Sequence, residues 1–160
     1  MSGTGTSGTG SGFGRFTGSE VTSSMSARRK ARKRALDVLY EADLRQSSIM
    51  DSLEAYVARL PEPRPEQIGY SQSLVAGVAR ERDRIDELIG SYAEGWTLDR
   101  MPVVDRNLAR IAVYELLYVD EIDDAVAITE AVELARILST DESPRFLHGV
   151  LGRIAEYATR

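Results

Sequence analysis

Residues Pro102 to Val119 read PVVDRNLARIAVYELLYV, and this stretch decides the fold. Val104, Leu108, Ile111, Ala112 and Leu116 recur at helical spacing, while Val113, Leu117 and Tyr118 widen the apolar surface beyond a one-sided stripe. A helix that is apolar around most of its circumference must be covered by other helices on more than one side. Pro102 suits the first turn, where its missing N–H costs no hydrogen bond, and Asp105 stands near the positive end of the helix dipole. The expectation is an all-α domain built around this segment as its buried central helix.

Six further helices follow from periodicity and punctuation. Helix one is expected over 27–45, with Ala31, Ala35, Val38, Leu39 and Ala42 on one face. A short second helix covers 51–60, with Leu53, Tyr56, Val57 and Leu60 inward. Pro61, Pro63 and Pro65 then make an extended connection that no helix crosses. Helix three (66–80) turns Ile68, Leu74, Val75 and Val78 inward, and Gly77 marks a close helix crossing. Helix four (83–94) uses Ile85, Leu88, Ile89 and Tyr92, and Gly95 ends it. Trp96, the single tryptophan, reads as a packing anchor at the hinge between two halves. Helix six is capped by Asp123 or Asp124 and buries Ile128, Ala131, Val132, Ala135 and Leu138. Ser143 caps helix seven, with Pro144 at its first position and Leu147, Val150, Leu151, Ile154 and Ala158 inward. The loop 139–142 is polar and expected to be exposed.

At 160 residues the chain is one domain with enough length to bury a core. Residues 1–24 are rich in Gly, Ser and Thr and bury too little apolar surface to offset chain entropy. They are expected as a disordered tail, or as sequence ahead of a true start at Met25, leaving 25–160 as the folded unit. There is no cysteine, hence no disulfide frame and no thiolate metal site. No apolar run reaches the ~18 residues of a membrane span, and no secretory signal opens the chain, so the expected location is cytoplasmic, away from membranes.

Charge supplies the functional clue. The net charge is −5, yet six of the seven residues from Arg28 to Arg34 are basic: Arg28, Arg29, Lys30, Arg32, Lys33 and Arg34. The remainder holds 14 basic against 25 acidic residues. An acidic body repels bulk nucleic acid while a concentrated basic patch accepts a defined piece of it. These cations sit in the opening turns of a helix, where the dipole disfavours them by some tenths of a kcal/mol each. A local rule broken in this way points to an anionic partner. The i,i+4 pairs fan the cations around the helix, so one or two must face the domain body. Such a fan fits an irregular single strand of RNA, which also needs aromatic planes for its bases. Phe146 is either such a plane or a core residue.

For catalysis the sequence offers little. His148 is the only histidine, with no recognisable nucleophile beside it. Glu130 and Glu133 read as a solvated helix face, metal-ligand spacing is missing, and no Gly-rich phosphate loop is present, so no cofactor is expected.

Several segments together resemble the NusB family of bacterial transcription antitermination factors: ALDVLYEADL (35–44), LVAGVA (74–79), IDELIGSYAEGWTLDRMPVVDRNLARIAVYELL (85–117), VAITEAVELAR (126–136) and STDESPRFLHGVLGRI (139–154). The resemblance implies a seven-helix fold of two three-helix subdomains around the central helix. It also implies binding of boxA RNA jointly with NusE, a small-subunit ribosomal protein, in an RNA polymerase antitermination complex acting on ribosomal RNA operons. Carried over, the RNA contacts are Arg28, Arg29, Lys30, Arg32, Lys33, Glu142 and Phe146, and the NusE contacts are Tyr40 and Asp105. Two departures stand out. Glu142 replaces the family's usual Asp, one methylene shorter, and His148 stands where Asn is common, so protonation there would add RNA affinity at mildly acidic pH. Relatives occur as monomers and dimers, which leaves a homodimer open. Two other readings remain: a protein–protein scaffold with a merely solvated basic helix, and the front domain of a ribosomal RNA methyltransferase. The second would need a following nucleotide-binding domain, and the chain ends at Arg160.

Overall fold

A computed structural model describes residues 18–62 and 65–158, with side chains described for 27–62 and 68–158. Among these residues there are seven α-helices and no strand: α1 (Gly18–Arg45), α2 (Ile49–Arg59), α3 (Pro65–Arg80), α4 (Arg82–Tyr92), α5 (Val103–Tyr118), α6 (Asp124–Leu138) and α7 (Ser143–Ala158). A single 3-10 turn, Leu98–Arg100, leads into α5.

α5 is the axis. It is buried at Asp105 and from Asn107 through Glu115, and it packs on α1, α3, α4, α6 and α7. α1, α2 and α3 pack on one another, α5, α6 and α7 form a second triad, and α4 touches α3, α5 and α7. The expected inward residues of α1 are all buried, as are Leu74, Val75, Val78, Ile85, Leu88, Ile89, Leu147, Val150, Leu151 and Ile154. Leu138 and Ala158 are exposed instead, because each is the last residue of its helix and lies past the elements that would cover it.

Several boundaries differ from the sequence pattern, α4 among them, which runs Arg82–Tyr92 where 83–94 is expected. α1 begins at Gly18, inside the segment assigned to a tail; no Gly or Pro between Ser19 and Arg45 stops it, and residues 1–17 of that tail lie outside the described residues. α2 starts two residues early, where the Ser48 hydroxyl accepts the Asp51 N–H at 3.3 Å. Pro65 itself opens α3, and Pro63 lies outside the described residues. Gly77 gives the close crossing that LVAGVA suggests: a Cβ there would overlap the Tyr114 ring, so α3 reaches α5 only because this position lacks one. Gly95, at φ +91°, turns the chain out of α4 and presents Trp96.

Candidate nucleic-acid interface

The opening turns of the described part of α1 divide their cations between two faces. Inward, Arg32 is only 3% exposed; its Nε donates to both Glu115 oxygens at 3.0 and 3.1 Å, and its Nη1 lies 3.5 Å from Glu130. Arg29 meets Glu130 with two parallel hydrogen bonds, Nε to Oε1 at 2.9 Å and Nη2 to Oε2 at 2.8 Å. That contact raises the Arg29 pKa and, against the effect of burial, holds the Glu130 carboxyl below its ordinary value. Tyr70 adds its hydroxyl to Glu115, and burial foremost pushes the phenol pKa upward. Glu130 is thus a buried partner and not part of a solvated face. Arg32, expected among the RNA contacts, is held among carboxylates in the interior.

Outward, the Arg28 guanidinium lies 5.3 Å from the centre of the Tyr70 ring. Lys30 is exposed, with no ion pair among the described residues. Lys33 makes only a surface pair with Asp37 at 2.9 Å, a contact worth little and easily exchanged. Arg29, Lys30, Lys33 and Arg34 line a groove of about 410 Å³ together with Leu134, Ile137 and Leu138, all from the end of α6. Ile137 is 70% exposed, so the groove combines open apolar surface with basic side chains.

A second concavity, also about 410 Å³, lies between the α4–α5 connection and the start of α7. Trp96, Met101, Pro102, Glu142, Arg145 and Phe146 line it. Thr140 lines it too, two residues along the chain from Leu138, which lines the first groove. Phe146 is half-buried against the core, and its ring meets Trp96 edge to face at 6.3 Å between centroids and 65° between planes. The sequence reading of Trp96 as a packing anchor fails: the indole is 51% exposed, since Gly95 turns it outward.

Of the two residues carried over to the NusE face, Tyr40 is exposed on α1, while Asp105 is 3% exposed. Ser139 Oγ donates to Asp105 Oδ1 at 2.6 Å and Ser143 Oγ to Oδ2 at 2.8 Å. The Ser143 hydroxyl also accepts the Thr140 N–H at 3.2 Å. Asp105, expected on the NusE face, is a buried clamp that fixes the start of α7 against the start of α5. The same bonds turn Ser139 inward, leaving Thr140, Asp141 and Glu142 as the exposed part of that loop. His148 is exposed on α7. Among the described residues no group of His, Cys, Asp or Glu is placed to hold a metal ion, and no helix is long and apolar enough to cross a membrane.

Residues 29–156 match the family model described as the NusB family. The chain belongs to the NusB family. It is 76% identical over 136 residues to the transcription antitermination protein NusB of Salinispora arenicola, covering 85% of this chain and 100% of that one. The NusB protein of Nocardioides sp. is 52% identical over 130 residues, covering 81% of this chain and 94% of its own. Among solved NusB structures, that from T. maritima superposes with a TM-score of 0.73 at 33% identity, covering 81% of this chain and 90% of the other. A structure of antitermination factors NusB and NusE with double-stranded RNA superposes with a TM-score of 0.74 at 26% identity, covering 83% and 98%. The all-α NusB fold and the family membership expected from the sequence both hold.

Sequence reasoning missed the carboxylates that receive the inward cations. Glu115 was available as a signal: a charged residue on a helix that is apolar around most of its surface has to find a buried partner. Trp96 carried no such signal, because its direction is set by the backbone turn at Gly95.

Proposed function

We propose that this NusB-family chain is a transcription antitermination factor that holds boxA-like single-stranded RNA. It acts with NusE in the elongating RNA polymerase complex on ribosomal RNA operons, in the cytoplasm and without catalysis of its own. One observation carries this reading: a groove lined by four cations and by Leu134, Ile137 and Leu138 of α6 lies close along the chain to an aromatic pocket, since Leu138 lines the first and Thr140 the second. Phosphates are neutralised by Arg28, Lys30, Lys33 and Arg34, with Arg29 shared between RNA and Glu130. Ile137 and Leu138 take the apolar faces of bases, and Glu142 and Phe146 lie further along the same strand. Arg32 supports this face from within by neutralising Glu115 and Glu130, and Asp105 keeps the pocket's two walls in register. Tyr40 remains the exposed candidate for the NusE contact, and the RNA-binding unit spans 25–160.

Gel-shift with boxA RNA, with and without NusE, tests the reading. The expected result is a shifted complex that tightens with NusE. About four phosphate contacts on a single strand give a slope of log K against log salt near −3, from ~0.7 per contact. A slope near zero, or NusE capture with no RNA shift, favours the scaffold reading instead. A duplex of the same sequence in parallel shows whether unpaired bases are required.

A further inference from the structure

We infer that Trp96 is the stacking platform for one unpaired RNA base bearing an exocyclic amine, with Phe146 holding the indole in place and Glu142 reading the amine. The inference rests on the RNA-binding reading above and adds to it a residue outside the basic helix and outside the contacts that the family resemblance implies.

The geometry separates the two rings. Phe146 packs against the core and offers only part of its surface, whereas half of the Trp96 surface is open. Rings inclined at 65° do not sandwich a flat base between them. A base therefore stacks on the open face of one ring, and the indole is the larger and more accessible of the two. The edge contact from Phe146 fixes the indole's orientation, which lowers the entropy lost when a base arrives. The pocket volume, about 410 Å³, falls within the range typical of small-ligand sites, roughly 300–1,000 Å³.

The polar rim supplies direction. Both oxygens of Asp105 accept serine hydroxyls, so that buried acid is already satisfied. Glu142 is the exposed carboxylate of the lining, and a carboxylate accepts hydrogen bonds and donates none. Cytosine, adenine and guanine each present an exocyclic amine donor; uracil presents carbonyl acceptors beside its single ring N–H. The Glu142 carboxylate therefore favours an amine-bearing base over uracil. Arg145, also on the rim, is the cation available to the phosphate of the same nucleotide. Leu138 lines the cationic groove and Thr140, two residues on, lines this pocket, so one strand has only a short span to cross between them.

Trp96 is the chain's only tryptophan, so its emission reports this pocket alone. Intrinsic fluorescence and anisotropy of a dye-labelled boxA-type RNA oligomer are measured in one titration. A panel in which each base is replaced in turn by uracil accompanies it. The expected result is quenching of tryptophan emission that follows binding. Trp96→Ala weakens affinity by roughly 5- to 100-fold, as for loss of one stacked base, while Trp96→Tyr restores most of it. One uracil replacement weakens binding to the parent protein but not to Glu142→Ala. Binding by anisotropy with unchanged emission and an unaffected Trp96→Ala overturns the platform and leaves the RNA reading intact. Uniform sensitivity to uracil in parent and Glu142→Ala overturns the amine selection. No binding by anisotropy overturns both readings. Circular dichroism of each variant separates these outcomes from misfolding.

Discussion

Lys30 and Arg32 stand two residues apart in one run of cations, yet they occupy opposite environments. Lys30 is exposed on the groove it lines with apolar residues of α6, while Arg32 is closed off among Glu115, Glu130 and the core. A helix turns by about 100° per residue, so a dense basic run cannot all face one partner. Arg32, with the half-exposed Arg29, neutralises buried acids and sets the shape of the domain; Lys30 stands outside that network. The difference teaches that a basic cluster in sequence is two devices, and that counting its charges overstates the binding surface.

The sharpest way to break this division is Arg32→Ala, which leaves Glu115 and Glu130 without their buried partner. It is expected to cost about 3–5 kcal/mol in denaturant unfolding, the range for removing one member of a buried ion pair. RNA affinity of the folded fraction should stay near the parent's. A well-folded Arg32→Ala that loses RNA would make Arg32 a contact and erase the distinction.

Overpacking tests the interior from its other side. Gly77→Ala forces a methyl into the Tyr114 ring and should destabilise by about 1–3 kcal/mol without altering the salt dependence of RNA binding. An unchanged melting temperature would show that α3 and α5 can separate at little cost.

Acid separates the faces by titration. The Glu130 carboxyl is held below its ordinary value, chiefly by the Arg29 hydrogen bonds. Asp43 is lowered as well: burial works to raise its pKa, but hydrogen bonds from Arg106 and Asn107 and the charge of Arg110 outweigh it. Carboxyls with folded pKa values below their unfolded ones contribute stability that is fully present above about pH 5 and is lost as pH falls through the folded values. Unfolding free energy should therefore be flat just above that pH and decline below it. Glu130→Gln should make the decline shallower, and an unchanged acid limb would remove Glu130 from the account.

The smallest effect belongs to the outward face. Lys33→Gln should move stability by less than about 0.5 kcal/mol and flatten the salt slope of RNA binding by ~0.7. A flattened slope with unchanged stability is the signature of a residue that serves only the ligand. If stability falls instead, the Lys33–Asp37 pair belongs to the fold.

The seven-helix architecture was readable because it depends on periodicity and punctuation, which are local. The 102–119 segment is apolar on too many sides to be anything but central, and Pro61, Gly95 and Pro102 divide the helices. The family was readable for a related reason: long segments such as 85–117 keep their order and spacing. The site was readable only as composition, that is, a basic run near one end and an aromatic near the other. Tertiary structure alone decided that α6 brings Ile137 and Leu138 beside the cations, that Asp105 is clamped by Ser139 and Ser143, and that Trp96 meets Phe146. Each of these is a meeting of residues far apart in the chain, and which residues meet is fixed by how helices cross, a quantity no single helix carries in its own sequence.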